Sequence, residues 1–222
     1  WTDEQSELIR NWGGAVLALA PAGSGKTSVL SARVGEAIRH GIAPARMLCL
    51  TFTNRAAREL RHRVSQDFPG ASDGLTVMTF HSFCAMLLRR HAAEIGLPRD
   101  FVVYDEEDSM ALVADIWGIP AQHRSALQDT LTLIHTAKST ATPDLLSLEG
   151  PGAAVFARGN TQATGEKAAR YQHSLRDRHA VDFGDLVFLV RSLQEKSPET
   201  TAQFSHLYDF IQVDEVQDTH ME

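Results

Sequence analysis

Apolar and polar positions along the chain predict short buried strands that alternate with amphipathic helices. An apolar run at 15–20 predicts a buried strand, and apolar residues at helical spacing from Val29 to Ile38 predict the helix that follows it. Similar strand patterns occur at 47–53, 75–80 and 208–213, and the first two of these also lead into helical patterns. This order predicts an α/β fold in which a parallel sheet is flanked by helices.

The middle of the chain has a different pattern. Residues 96–180 are mostly helical in their periodicity, with polar faces rich in Ala, Gln and His, and a Gly/Ala/Thr stretch at about 150–165 predicts a mobile loop. The sequence therefore predicts an α/β domain formed by residues 1–95 and 181–222, interrupted by a helical insertion at 96–180.

Composition narrows the class of protein. The 222 residues carry a net charge of −7, with 43% hydrophobic and 22% charged residues, which is ordinary for a soluble globular protein. No run approaches the roughly 20 apolar residues of a membrane span, and the N-terminus lacks the layout of a signal peptide. Cys49 and Cys84 lie in apolar contexts and are interpreted as buried, reduced thiols of a cytoplasmic protein.

Positive charge is concentrated in one stretch. Five arginines and one acidic residue lie between Arg46 and Arg63, whereas acidic residues cluster elsewhere, notably at 105–108. The overall negative charge argues against a protein whose whole surface is positively charged. A local patch of this kind is nevertheless compatible with nucleic-acid binding.

The turn between the first strand and its helix has the residues of a phosphate-binding P-loop, Ala22-Gly23-Ser24-Gly25-Lys26-Thr27. Glycines without a Cβ let the backbone turn tightly and point several N–H groups inward, where the positive end of the helix adds to them. Lys26 would place a positive charge at the β- and γ-phosphates of ATP, and the Thr27 hydroxyl can bind Mg²⁺. The usual pattern has Gly where this chain has Ala20, and the alternative is an ordinary Gly-rich turn between a strand and a helix.

A strand that ends in two acidic residues supplies the partner expected of a P-loop. The apolar strand at 208–213 runs directly into Asp214 and Glu215. The Asp can hold Mg²⁺ beside Thr27, and the Glu can orient and deprotonate the water that attacks the γ-phosphate. The alternative is two exposed acidic residues after a strand. In a chain with a P-loop the pair favours ATP hydrolysis, with Glu215, Lys26 and Asp214 as catalytic residues.

Near the N-terminus, Gln5 has two interpretations. Thr2 and Gln5 have capping-box spacing, which predicts that Gln5 caps a short helix. A carboxamide can also donate and accept at once, as the edge of an adenine requires. From spacing alone the cap is favoured.

These segments occur in the order found in UvrD/Rep-type superfamily 1 DNA helicases, and the chain resembles the N-terminal part of that family over nearly its whole length. The matching segments are Thr2–Gln5, Ala20–Thr27, Thr51–Ala57, Thr79–Phe83, Val103–Asp105, Asp182–Leu186 and Val213–Thr219. The resemblance implies a RecA-like domain, called 1A, with a helical insertion, called 1B. It also implies an ATP-driven motor that moves 3′ to 5′ on single-stranded DNA.

The resemblance further implies residue roles. Gln5 lies where the family reads adenine, which reverses the interpretation from spacing, and Ser28 lies where many members have an Arg near the base. Two segments match the family's contacts with single-stranded DNA, namely Thr51, Phe52, Thr53 and Asn54, and then Thr79, Phe80 and His81. An aromatic ring can stack on a base, and hydroxyl and amide groups can donate to phosphate, but core packing is the alternative for both phenylalanines.

The chain stops directly after the last match, before family motifs III to VI and the second RecA-like domain. We therefore expect a fragment that hydrolyses ATP very slowly by itself. Its partners would be the missing domains, single-stranded DNA and single/double-strand junctions. Other functions that the sequence leaves open are the motor subunit of a helicase–nuclease repair complex, a nucleotide-dependent DNA-binding module without unwinding, and a small-molecule kinase.

Overall fold

The computed structural model describes residues 1–11, 14–21, 23–70, 73–139 and 162–216. Its helices there are α1 (Asp3–Arg10), α2 (Lys26–Arg39), α3 (Asn54–Asp67), α4 (Phe80–Arg90), α5 (Glu106–Trp117), α6 (Arg124–Ser139), α7 (Gln162–Asp177), α8 (Phe183–Lys196) and α9 (Pro198–Ser205). Its strands are β1 (Met47–Thr51), β2 (Thr76–Thr79), β3 (Val102–Tyr104), β4 (Ala180–Asp182) and β5 (Phe210–Val213). Residues 1–83 and the described residues from 202 onward form one compact unit, and residues 84–201 form a second.

The first unit is built on a parallel three-stranded sheet in the order β2-β1-β5. β1 lies in the middle and all of its residues are buried, as expected for a strand covered on both faces. Apolar residues of α2 and α3 join those of the strands in one core, which includes Val34, Met47, Leu60, Val77 and Phe210. The predicted α/β fold with a parallel sheet flanked by helices is confirmed.

Helix α3 shows how the sequence sets these elements. The Thr53 hydroxyl caps its first turn by accepting a hydrogen bond from the Ala56 backbone N–H at 3.1 Å. Ala57, Leu60 and Val64 recur at three- and four-residue spacing and are buried. Most arginines of the predicted basic patch therefore fall on the exposed side of the helix.

The strand predictions differ from the structure in several places, and the strands predicted at 47–53 and 208–213 are shorter, at Met47–Thr51 and Phe210–Val213. The buried strand predicted at 15–20 is wrong: the segment forms no strand, and Leu19 is 90% exposed. A strand needs a hydrogen-bonded neighbour, and no strand of the described residues pairs with this segment, so its apolar side chains are not covered. The strand predicted at 75–80 is shorter than expected, because Phe80 already begins α4.

The second unit is mostly helical, as predicted for the insertion, but it also contains a parallel pair of strands, β3 and β4. Periodicity did not predict them, because strands this short have too few positions to show a period of two. Most of the predicted loop at 150–165 lies outside the described residues, and its last residues belong to α7. The division into domains 1–95 with 181–222 and 96–180 remains a prediction.

Buried charges hold the corner between β4 and α8. The Lys138 Nζ lies 2.7 Å from Asp182 Oδ2 and 2.8 Å from Asp185 Oδ1, and all three residues are buried. The two aspartates also cap α8 reciprocally. Burial alone would lower the pKa of Lys138, but the charges of the two carboxylates outweigh it and raise that pKa. The family-matching segment that begins at Asp182 therefore ties α6 to α8.

Cys49 and Cys84 are unbridged and buried, which confirms the prediction for these thiols. Burial raises the pKa of each thiol to about 12, so both stay protonated at neutral pH. Within the described ranges, every helix is too short or too polar to cross a membrane.

Candidate nucleotide site

The P-loop folds as a tight turn at the N-terminus of α2. Gly23 and Gly25 have left-handed backbone conformations, with φ angles of 77° and 82°, which residues with a Cβ adopt only at a cost. The Gly25 carbonyl accepts hydrogen bonds from the backbone N–H groups of Ser28 at 3.0 Å and Val29 at 3.1 Å. No side chain of the described residues caps α2, so this helix end is open to an anion.

The side chain of Gln5 joins α1 to the P-loop. Its Oε1 accepts from the Thr2 N–H at 2.9 Å, and its backbone N–H donates to Thr2 Oγ1 at 3.2 Å, which confirms the predicted capping box. Its Nε2 donates to the Ser24 carbonyl at 2.9 Å, a contact that spacing in the sequence does not reveal. The Ser24 hydroxyl is buried without a hydrogen-bond partner among the described residues, as expected where a polar ligand completes a site.

Lys26 and Glu215 form an ion pair beside the P-loop. The Lys26 Nζ lies 2.7 Å from Glu215 Oε1, and the two side chains are 31% and 35% exposed. Lys26 is the first residue of α2, whereas Glu215 follows β5 with a left-handed φ of 54° that turns the chain sharply after the strand. The structure thus brings together two predicted catalytic residues that are far apart in the sequence.

Asp214 is held by the sheet. Its backbone N–H donates to the Leu50 carbonyl at 2.8 Å, which continues the pairing of β5 with β1. Burial raises the pKa of its carboxyl group, and so does the charge of Glu215, while Lys26 opposes both. A partly desolvated carboxylate of this kind is one that a bound cation would stabilise. Thr27, the other predicted Mg²⁺ ligand, lies in the first turn of α2.

Ser28 has a contact that the sequence did not predict. Its hydroxyl accepts a hydrogen bond from Arg63 Nη1, so an arginine of α3 lies beside the first turn of α2. Arg63 belongs to the predicted basic patch, but its position in the sequence does not reveal a partner so far away in the chain. Of the other predicted nucleotide-binding residues, Ala22 lies outside the described residues. Gly23 to Gly25 form the turn, and Lys26 and Thr27 are the first two residues of α2.

The groups gathered here fit a nucleoside triphosphate with Mg²⁺. Phosphate suits both an open helix N-terminus and the Lys26 ammonium group, and Mg²⁺ prefers the hydroxyl and carboxylate oxygens that Thr27 and Asp214 offer. The unpartnered Ser24 hydroxyl and the raised pKa of Asp214 are both features that such a ligand would relieve.

The predicted DNA-contact residues follow the carboxyl ends of β1 and β2. The two strands are parallel and adjacent, with Thr51 opposite Thr79. The first group of these residues, 51–54, therefore lies beside the second group, 79–81, at one edge of the sheet. Asp214 follows β5 at the same edge, because Val213 lies opposite Leu50. This is the edge at which parallel α/β sheets place their ligand sites.

Within the first group, Phe52 is 46% exposed, so core packing does not account for it. Thr51 is buried and its hydroxyl donates to the Thr53 carbonyl at 3.0 Å, while the Thr53 hydroxyl caps α3. Asn54 is exposed as the first residue of α3. Phe52 and Asn54 are therefore the members with the most surface to offer a ligand.

Within the second group, the Thr79 hydroxyl is used locally. It accepts from the Ser82 N–H at 3.2 Å and donates to Ser82 Oγ at 2.8 Å, which caps α4. Phe80 and His81 begin that helix with ring centroids 6.2 Å apart, edge to face. Burial lowers the pKa of His81, which favours a neutral ring suited to stacking.

The family of this chain is identified by its similarity to known proteins. A family model described as UvrD/REP helicase N-terminal domain matches residues 1–221. The ATP-dependent DNA helicase PcrA of Staphylococcus epidermidis is 31% identical over 221 residues, and PcrA of Staphylococcus aureus is equally similar. Each alignment covers 98% of this chain, and the chain spans 30% of the length of these curated relatives. The chain belongs to the UvrD/REP helicase family, in which it corresponds to the N-terminal domain.

Proposed function

We propose that the protein carrying this chain is an ATP-dependent DNA helicase or translocase that moves 3′ to 5′ on single-stranded DNA. The observation that carries the proposal is the meeting of Lys26 with Glu215 at the sheet edge that also bears the predicted DNA-contact residues. Nucleotide hydrolysis and DNA binding would then take place at the same edge of one sheet. The staphylococcal relatives are named ATP-dependent DNA helicases, which supports the same assignment.

In this proposal residues 1–95 and 181–222 form the RecA-like domain 1A, and residues 96–180 form the inserted domain 1B. Because the relatives are much longer than this chain, groups outside it would complete the ATP site. The chain alone should therefore bind nucleotide weakly and turn it over slowly. Single-stranded DNA and its junctions with duplex would be the substrates, and the bacterial cytoplasm would be the site of the activity.

Each residue of the nucleotide site has a role that its position supports. Backbone N–H groups of the P-loop and Lys26 Nζ would bind the phosphates, and oxygens of Thr27 and Asp214 would hold Mg²⁺. ATP supplies the phosphoanhydride bond whose hydrolysis drives movement. Glu215 would orient a water and accept its proton at a carboxylate oxygen. Gln5 would bind the adenine edge with its carboxamide.

The ion pair between Lys26 and Glu215 has to open for this chemistry. The lysine would turn to phosphate, and the glutamate, no longer neutralised by that lysine, could then accept a proton. Because both side chains are partly exposed, the pair contributes only about 0–1 kcal/mol and is easily exchanged. Such an exchange would couple nucleotide binding to activation of the base.

On the DNA side, one exposed ring, two half-buried rings and several polar groups are available to a single strand. Phe52 offers a stacking face that is tolerant of base sequence, and Phe80 with His81 offers a second. Asn54 can donate to phosphate, and the nearby arginines of α3 add positive charge. Thr51, Thr53 and Thr79 support these groups by shaping the turns after β1 and β2.

The observation that weighs against a nucleotide-dependent binding module is the Glu215 carboxylate itself, since a pure binding switch has little need of a group that activates water. A motor subunit of a helicase–nuclease complex would use the same residues, and would differ by a nuclease site outside this chain.

Steady-state ATP hydrolysis by the full-length protein, with and without single-stranded DNA, tests the proposal. We expect strong stimulation by DNA, and loss of turnover by at least about 100-fold in Glu215→Gln. Glu199→Gln, an exposed change of the same kind on α9, is the control and should leave the rate unchanged. A rate that is independent of DNA would reduce the assignment to a P-loop NTPase. Strand-displacement assays on 3′- and 5′-tailed duplexes would establish unwinding and direction.

A further inference from the structure

A basic depression lies within the second unit. Its lining consists of Arg89 and Arg90 from the last turn of α4, Arg99 from the segment before β3, and Met86, and its volume is about 480 Å³. All three arginines are exposed. None of them belongs to the predicted nucleotide or DNA residues, which all lie in the first unit.

Arg89 is held in position by an aromatic ring. Its guanidinium carbon lies 5.0 Å from the centroid of Phe101, which is buried and therefore fixed. A cation over a ring face is attracted by the ring's quadrupole, and the contact leaves the N–H groups at the edge of the guanidinium available. The charge is thus preorganised, so that less side-chain entropy is lost when an anion binds.

Some exposed arginines of the described chain have carboxylate partners, and the three arginines of this depression are among those that do not. Five arginines elsewhere in the described chain pair with an acidic residue, namely Arg39, Arg46, Arg124, Arg178 and Arg191. No ion pair of the described residues involves Arg89, Arg90 or Arg99. The nearby carboxylate of Glu94 is instead engaged by His91 Nδ1 at 2.7 Å and by the Thr200 hydroxyl at 3.3 Å.

The position of two of these arginines at a helix end offers a simpler account. Arg89 and Arg90 lie in the last turn of α4, where positive charge complements the negative end of the helix. Arg99 is not part of that helix and gains nothing from its dipole, yet it lines the same depression. Charge on the helix end therefore explains only part of the cluster.

We propose that this depression binds the phosphodiester backbone of DNA, as a contact additional to the predicted residues after β1 and β2. Guanidinium groups match phosphate oxygens in a bidentate fashion, and three of them with no carboxylate partner among the described residues favour a polyanion. The net charge of the chain is −7, so an anionic strand would be attracted only to local patches of this kind. The inference rests on the proposed function, because it assumes that the protein's substrate is DNA.

The test is the salt dependence of DNA affinity, measured by fluorescence anisotropy with the full-length protein. The variant carries Arg89→Gln, Arg90→Gln and Arg99→Gln. The matched control carries Arg39→Gln, Arg178→Gln and Arg191→Gln, which removes the same amount of charge from exposed arginines that have carboxylate partners. Each protein is titrated with a single-stranded oligonucleotide and with a blunt duplex over a series of salt concentrations.

Loss of three phosphate contacts should reduce the slope of log K against log salt by about 2 on single-stranded DNA or by nearly 3 on duplex. The DNA form that shows the reduction identifies the strand that the depression contacts. A slope equal to that of the control triple variant on both DNA forms would overturn the inference. If the unmodified protein binds neither DNA form, the proposed function itself is contradicted. ATP hydrolysis without DNA at the parent rate shows that the variants are folded.

Discussion

The Lys26 Nζ lies 2.7 Å from Glu215 Oε1, so the residue proposed to bind phosphate and the residue proposed to activate water neutralise each other's charge. The lysine belongs to the helix after the P-loop and the glutamate to the turn after β5. Any anion that binds at the P-loop therefore competes with Glu215 for the same ammonium group. This competition can be measured directly as a change in nucleotide affinity.

Removal of the competing carboxylate should strengthen nucleotide binding while it abolishes hydrolysis. We expect Glu215→Gln to bind a non-hydrolysable ATP analogue up to about fivefold more tightly, because a partly exposed pair of this kind is worth about 0–1 kcal/mol. Lys26→Ala should lose productive binding altogether. Titration calorimetry measures both, with Lys167→Ala as the control lysine. Weaker binding by Glu215→Gln would show that the glutamate supports the nucleotide and does not compete with it.

Asp214 should reduce the stability of the nucleotide-free protein when it is charged. Its pKa is raised by burial and by Glu215, so the folded chain holds the proton more tightly than the unfolded chain. The resulting stability is present at acid pH and is lost as the pH rises from about 4 through the raised pKa. Asp214→Asn removes this loss, so near pH 7 the variant should melt at a higher temperature than the parent while it no longer hydrolyses ATP.

Asp209→Asn provides a control with the opposite sign. The pKa of Asp209 is lowered, chiefly by its hydrogen bond from Arg46, so its contribution to stability grows as the pH rises. Thermal unfolding of the parent and both variants between pH 4 and pH 7 separates the two cases. A melting temperature for Asp214→Asn that stays below the parent's at every pH would contradict the assignment of a desolvated carboxylate.

The buried charges in the second unit should be costly to break. Lys138→Met leaves Asp182 and Asp185 buried without their cation, and the free energy of local opening should fall by about 3–5 kcal/mol. Hydrogen exchange of amides in α6 and α8 reports this loss, and Lys167→Met on α7 is the control. Addition of Asp182→Asn and Asp185→Asn should recover part of the stability, because the two buried carboxylates that need the lysine are then neutral. No recovery would show that packing of the lysine stem dominates.

Local signals in the sequence predicted the helices of the first unit and the strands of its sheet, whereas tertiary contacts decided which apolar segments are buried. The Thr53 cap and the apolar stripe from Ala57 to Val64 are encoded within one helix, and both are present in the structure. The segment at 15–20 has an equally clear apolar pattern, but no pattern within a segment can supply the neighbour that a strand requires. Its predicted burial is wrong for that reason.

Contacts between distant residues were the part that the sequence could not provide. Residue types predicted that Lys26 and Glu215 share a site, because each type suits one task in phosphate chemistry. The pairing of Arg63 with Ser28 and of Lys138 with two aspartates follows no spacing rule, since side chains of this length can reach several neighbours. Only the packing of α3 against α2, and of α6 against α8, selects those partners.

The carboxamide of Gln5 has a donor and an acceptor with separate partners. Oε1 accepts from the Thr2 N–H, and Nε2 donates to the Ser24 carbonyl in the P-loop. Gln5→Glu keeps an acceptor for the cap but replaces the donor by a carboxylate oxygen that repels the carbonyl. Loss of one hydrogen bond of this kind costs about 0.5–1.5 kcal/mol, so affinity for a GTP analogue should fall several-fold. Affinity for the ATP analogue should fall further, because the proposed adenine contact is lost as well.

Thr2→Ala, which removes a cap acceptor and leaves the Nε2 contact in place, is the control and should leave both affinities unchanged. Equal losses for the two analogues in Gln5→Glu would contradict the adenine role, and an unchanged affinity for the GTP analogue would contradict a role in positioning the P-loop.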